Sequence, residues 1–456
     1  MTRQDIINLI SYVRSNSEFI EHNKKLFEIF EGDLLKYILA DLKQQLSPEA
    51  FSQIQYRICP INVLKRIISK LSKIYARSPQ RILINGNSSD EELLNFYVQE
   101  MKLDQYMTVA NELFNLHKCV TIEPFVENNL PRLRVIPADR NLFFSDDKVN
   151  PLRPTAWIKF VGSRNGKNIF YIYTDENFYP VSEDAEILND ILIANENIEA
   201  INPFGKIPAV YINRSHYSLL PTIDTDTFKM SKAIPILLSD LNFAVMYQSF
   251  SIIFGIDVQV DNLVKSPNAF WSFRSDPTSD KKPEIGILKP DVDIDQVLNL
   301  LKTELVMWLN SKNIRAGSVG DLNAENFASG ISKIVDESDT FEDRQAQIPF
   351  FVNAEAELFN LIINHLHPFW KAAGMIDTKL DWSRGVQVRT IFPEQLPLIN
   401  RNELVDTVIK ELQAGLTTRE LAIKRLNPEM TEKEVLDLIN KIDQQTTIFI
   451  EGDENV

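Results

Sequence analysis

The chain has 456 residues, 44% of them hydrophobic and 24% charged, enough to bury a sizeable core in several domains. Its formal charge of −15 argues against a protein whose main surface is a basic cradle for phosphates, although like charge would also keep passing DNA from adhering. Two cysteines, Cys59 and Cys119, make neither a disulfide framework nor a cysteine-rich metal site.

The opening MTRQDIINLI lacks the long apolar core and small-residue cleavage site of a signal peptide. The most apolar stretch, Phe243–Ile256, is interrupted by Gln248, Ser249 and Ser251 and falls short of the roughly 20 residues that a membrane span needs. A soluble protein made in the cytoplasm, with no membrane partner, is expected.

Residues 1 to about 58 read as helical, with Ile6, Ile7, Ile10 and Val13, then Leu26, Phe27, Phe30 and Leu34, recurring at helical spacing. Pro60 breaks the pattern, and a second helix is expected over Asn62–Tyr75, closed by Pro79. From Val120 to Asn213 the period changes to two. Strands are expected at Thr121–Val126, Arg132–Ile136, Ala156–Phe160, Ile169–Tyr173 and Ala209–Ile212, with Asn165-Gly166 as a two-residue hairpin turn.

After Pro221 the chain turns helical again through Ile234, Leu237, Leu238, Leu241, Ala244, Val245 and Gln248, and Gly255 is expected to end that region. Residues 256–290 read as a small irregular or β module. Ile294–Asn310 is the next helix, carried by Leu298, Leu301, Leu305 and Leu309. A loop with Gly317 and Gly320 follows. Then Ile331, Ile334, Phe341, Ile348, Leu358, Ile362 and Trp370 trace one long helix, which Pro349 should kink or divide. A short strand is expected over Val386–Phe392. Glu403–Ala414 should end at a left-handed Gly415, and Thr417-x-x-Glu420 and Thr431-x-x-Glu434 read as capping boxes.

The chemical motifs weaken on inspection. Gly162–Asn168 has three residues between its glycines and Asn168 where a nucleotide loop needs Ser or Thr, so it reads as a hairpin. Asp291, Asp293 and Asp295 open like a calcium loop, but Gln296 and Lys302 stand where Gly and Glu belong. His365 and His367, two apart, would lie about 200° apart on a helix and cannot share one metal. No catalytic residue, cofactor site or metal site is expected, and an enzyme is not supported.

The order of segments resembles the portal proteins of tailed bacteriophages. Several phrases are similar as well: Asn62-Val-Leu-Lys-Arg-Ile-Ile68, Val135-Ile-Pro137-Ala-Asp139, Asn202-Pro-Phe-Gly-Lys-Ile-Pro208, Ala328-Ser-Gly-Ile331, and Glu411 to Leu421. The resemblance implies an α+β fold, mainly helical, with an antiparallel or mixed β wing, paired stem helices, a small clip, a long kinked helix and a helical C-terminal crown. The implied divisions are an N-terminal arm 1–58, wing 59–230, first stem helix 231–255, clip 256–291 and second stem helix 292–313. A tunnel loop 314–327, a long helix with return to the wing 328–398, and a crown 399–456 complete them.

The implied function is a ring at the capsid vertex of the virion, with no nucleotide hydrolysis of its own, forming the channel for double-stranded DNA packaging and ejection. The implied partners are further copies of the chain in a dodecamer, double-stranded DNA, the major capsid protein and scaffold, the terminase large subunit and a head–tail adaptor. Arg315, Gly317, Ser318, Val319, Gly320, Asp321, Leu322 and Asn323 would face DNA in the tunnel loop. Lys302, Lys312 and Arg315 would touch phosphates transiently. Leu237, Leu241, Val245, Leu298, Leu301 and Leu305 would form stem contacts between subunits. Two other classes stay open: another ring-forming virion or connector protein, and a DNA-processing enzyme without a recognisable motif.

Overall fold

The computed structural model describes residues 2–194, 197, 199–249, 252–256, 258–259, 274–275, 284–288, 294–312, 341–393, 401–427 and 435–442. They fall into two compact units, one of residues 1–76 and 81–390 and one of 77–80 and 391–456. The fold class is α+β with antiparallel sheets.

The first unit opens with four helices, α1 (Arg3–Ser15), α2 (Ser17–Glu31), α3 (Leu34–Gln45) and α4 (Pro48–Ile54). Thr2 starts α1 by accepting the Asp5 N–H while the Asp5 carboxylate takes the Thr2 N–H, a reciprocal cap. Helix α5 (Val63–Leu71) is capped by Asn62 and is shorter than expected; a separate 3-10 turn, Ile74–Ala76, carries the rest. The next three elements had no counterpart in the sequence reading: strand β1 (Gln80–Ile84) and helices α6 (Ser88–Glu100) and α7 (Leu103–His117).

Lys118, left-handed at φ 64°, turns the chain from α7 into β2 (Cys119–Glu127). Strand β2 is the centre of a three-stranded antiparallel sheet, between β3 (Leu130–Ile136) and β8 (Val210–Asn213). A four-stranded antiparallel meander holds β4 (Asn141–Phe144), β5 (Ala156–Arg164), β6 (Lys167–Tyr173) and β7 (Phe178–Ser182), with the short helix α8 (Asn189–Ala194) after it. The alternation along β5 shows why the period of two was readable. Ala156 and Ile158 join Ile6, Leu9 and Ile10 of α1, whereas Trp157 turns to a second cluster with Phe143, Ile136 and Ile207. Each such buried Leu or Ile side chain contributes about 1.5–3 kcal/mol. Asn165 and Gly166 both have positive φ and close the β5–β6 hairpin, as expected from Asn-Gly. The pairing slips at Val161, a bulge between Phe160 and Gly162.

Helix α9 (Thr225–Ser249) is followed by strand β9 (Ile252–Ile256), so the helix stops before the expected Gly255. The run Ile252–Ile256 pairs instead with β12 (Glu284–Leu288), and β10 (Val258–Gln259) pairs with β11 (Arg274–Ser275). Helix α10 (Ile294–Ser311) packs on α9.

Helix α11 (Phe341–Leu361) is not divided at Pro349, whose ring sits on the exposed side where water can take the freed carbonyl. The ladder widens further on, in a π turn over Ile362–Leu366 that leads into α12 (His367–Ala372). Pro368 offers no N–H to the Asn364 carbonyl, which accounts for the widening there. Strand β13 (Gln387–Ile391) pairs with β1.

The second unit is helical, with α13 (Arg401–Gln413), α14 (Arg419–Leu426) and a further helix over 435–442. Gly415 at φ 70° ends α13 as expected. The cap of α14 is Thr418, which accepts the Leu421 N–H, and not Thr417. Residues 431–434 lie outside the described residues.

Candidate functional site

The helix pair α9–α10 is built on an apolar seam. Ile234, Leu238 and Leu241 of α9 are buried, as are Leu298, Leu301, Leu305, Trp308 and Leu309 of α10. Leu241, Leu298, Leu301 and Leu305, expected at contacts between subunits, are covered by the chain's own packing. Leu237 is half-buried, and the side chain of Val245 lies outside the described residues. The apolar side chains that α10 leaves exposed are Leu300 and Met307, seven residues apart and so on one face.

The base of this pair is electrostatic. Asp224 accepts the Thr227 N–H at 3.1 Å, the N-terminal cap of α9, and binds Lys312 just past the end of α10. Lys118 reaches the same carboxylate at 3.4 Å. Burial alone would raise this carboxyl, but the hydrogen bond and charge of Lys312, with Lys118 beside it, hold it at about 2. Lys312, expected to touch phosphates transiently, is engaged here by the Asp224 carboxylate. Lys302 is half-buried on α10, and Arg315 lies outside the described residues with the rest of the expected tunnel loop, 314–327.

The start of α11 is tied to the same corner. The Arg214 N–H donates to the Lys118 carbonyl at 2.9 Å, and the Arg214 guanidinium holds Asp343 at 2.7 Å. Lys312 and Asp343, on the two sides of residues 313–340, are thus both anchored at the turn between α7 and β2.

From Asp343 a polar seam continues down the buried face of α11. Gln347, one turn on, binds Asp343 and accepts from Asn111 at 2.9 Å and Asn115 at 3.0 Å of α7. Two turns further, Glu355 is fully buried. Arg81 grips it through Nε at 2.7 Å and Nη2 at 2.8 Å, and also reaches Asp104 at 2.6 Å. Tyr75 and Thr390 donate to the remaining lone pairs at 2.8 and 2.7 Å. Burial first, then the Glu355 charge, raises the Tyr75 phenol well above its ordinary value. Sequence reading missed this seam because it traced the apolar Ile348, which is only half-buried, while Gln347 beside it is buried. The available signal was Asp343, Gln347 and Glu355 at multiples of four, in register with buried Phe351 and Phe359.

The rejected motifs stand as follows. Gly162–Asn168 is the β5–β6 hairpin, and Lys167 pairs with Asp184 at 2.5 Å. Asp295 lies in the first turn of α10, and 291–293 lie outside the described residues. His365 binds the Phe204 carbonyl at 3.0 Å and His367 binds Tyr97 at 2.9 Å, two separate partners. Among the described residues no three His, Cys, Asp or Glu side chains are grouped to hold a metal, and no helix is long and apolar enough to cross a membrane.

A cleft of about 470 Å³ runs beside α11, lined by Arg153, Asp175, Lys206, Asn213, Asn360 and His365. Set against known proteins, the chain matches no protein-family model and no curated protein.

Proposed function

We propose that the protein is the subunit of a portal-type ring, a cyclic homo-oligomer at a capsid vertex through which double-stranded DNA is packaged and ejected. The observation that carries this reading is the succession α9, small antiparallel β module, α10, then α11. Two helices packed on each other, joined by short strand pairs and followed by a helix anchored to an α/β unit, suit a channel wall. In this reading the neighbouring subunit covers the Leu300 and Met307 face of α10. A dodecamer follows from the resemblance.

The net charge of −15 would keep DNA from sticking during passage. In this reading the constriction falls to residues 314–327, which lie outside the described residues, with Val319 and Leu322 to narrow it and Arg315 as the cation to meet phosphates. Lys302 and Lys312 are the phosphate contacts of the stem in this reading. Force comes from a separate terminase, and a capsid protein, a scaffold and a head–tail adaptor are the other partners.

The test is to replace Gly317–Asp321 with a shorter linker. Rings should still assemble, and DNA packaging or retention should fail. Normal packaging and retention by such rings would remove the constriction from the account.

A further inference from the structure

Two imidazoles, each with a buried ring nitrogen, lie near where α2, α7 and the start of α9 come together. His117, the last residue of α7, is 3% exposed, and its Nδ1 lies 2.9 Å from Asn23 Oδ1. The Asn23 amide is oriented by its own bond to the Phe19 carbonyl at 2.8 Å, so Oδ1 is the acceptor and His117 Nδ1 carries the hydrogen. His117 Nε2 is then a bare lone pair, buried and without a partner. His22, on α2, bonds to the Asp224 backbone carbonyl, and its Nε2 is likewise buried and unpartnered. Phe27 lies 6.2 Å from the His117 ring and Phe228 lies 5.7 Å from the His22 ring, centroid to centroid.

We infer that the His22–His117 pair is an acid-sensitive lock on this junction, closed when both rings are neutral and opened when they take up protons. A proton on His117 Nε2 would create a buried N–H⁺ with no acceptor, within electrostatic reach of a second imidazole. The charged groups facing the pair do not relieve this at His117, where His22 is the group felt. Around His22 stand Glu18 and Lys25 of α2 and Asp224 before α9. Asp224 is already bound to Lys312 and Lys118. The inference is independent of the proposed ring.

Burial holds His117 down at about 3 and also lowers His22, against the ordinary 6.5. For a base lowered in the folded state, the open state binds the proton first. The lock is therefore at full strength above pH 6.5 and weakens as pH falls from 6.5 toward 3. Each group contributes up to a tenfold rise in the opening constant per pH unit below 6.5.

Hydrogen exchange of the full chain at pH 7 and pH 5, corrected for intrinsic rates, tests this. Amides of α2 and the last turn of α7 should lose protection by tenfold or more at pH 5, and His117→Gln should remove most of that difference. The control is His367→Gln, because His367 is also lowered by burial but lies elsewhere. Unchanged protection at pH 5 in the wild-type chain overturns the proposal, even if His117→Gln does not fold. An acid response that persists in a folded His117→Gln chain and vanishes in His367→Gln overturns it too.

Discussion

Lys118 and Lys312 share one carboxylate, that of Asp224, although nearly two hundred residues separate them in sequence. Lys118 is the left-handed residue that ends α7, and its carbonyl takes the Arg214 N–H, whose side chain holds Asp343. One tight turn thereby anchors the end of α10 and the beginning of α11.

Removing the shared carboxylate should loosen α9 and α10 together. Asp224→Ala is expected to cost about 2–3 kcal/mol, from a lost helix cap and two cations left half-buried. Asp224→Asn keeps the cap geometry and should cost less. Because the folded carboxyl sits at about 2, below its ordinary 3.8, this stabilisation is present above pH 3.8 and is lost as pH falls toward 2. Urea unfolding of the three chains at pH 7 and pH 3 would read both effects, and an Asp224→Ala chain as stable as wild type would contradict the role.

The buried Glu355 should be far more sensitive. Its removal leaves the Arg81 guanidinium, 6% exposed, without its bidentate partner. Glu355→Ala is expected to cost about 3–5 kcal/mol. Arg81→Met with Glu355→Leu should recover most of that loss, since the cost lies in a buried guanidinium left with Asp104 alone. Thermal unfolding of single and double variants forms the check, and additive losses would show that packing dominates instead.

At the β5–β6 turn the expectation is purely conformational. Gly166 sits at φ 78° with open space around its Cα, so a methyl group meets no atom. Gly166→Ala should cost about 1 kcal/mol through backbone strain alone. A larger loss in denaturant titration would mean that the turn contacts something not accounted for.

What the sequence made legible depended on how local the cause was. Asn165-Gly166 and Gly415 were readable because a single dihedral decides each. Strands β2, β3, β5, β6 and β8 were readable from the kind of alternation that splits Ala156 and Ile158 from Trp157, whereas β4 and β7 were not read. The end of α9 was not, because Ile252–Ile256 looks as apolar as the helix before it until Glu284–Leu288 pairs with it. The seam of Asp343, Gln347 and Glu355 was hidden for the same reason: a buried carboxylate is tolerable only because Arg81, Tyr75 and Thr390 arrive from far along the chain. On α10, the sequence marked Leu298, Leu301 and Leu305 as apolar contacts. It could not tell a partner in the same chain from one in a neighbour, since both give the same helical stripe.

That distinction yields a separate prediction. Leu301→Ala, at a fully buried position, should destabilise the chain itself by about 2–5 kcal/mol. Leu300→Glu and Met307→Glu, at exposed positions, should leave the unfolding midpoint nearly unchanged and weaken self-association. Sedimentation velocity alongside thermal unfolding separates the two outcomes, and a face that tolerates both glutamates without losing assembly is not the contact.

The central claim is that this chain closes into a ring around a channel. Negative-stain class averages of the purified protein at micromolar concentration test it most directly. The account predicts cyclic particles with a central opening, twelve-fold by the resemblance. A population of single 52.4 kDa chains under all conditions, or closed particles with no opening, would contradict it.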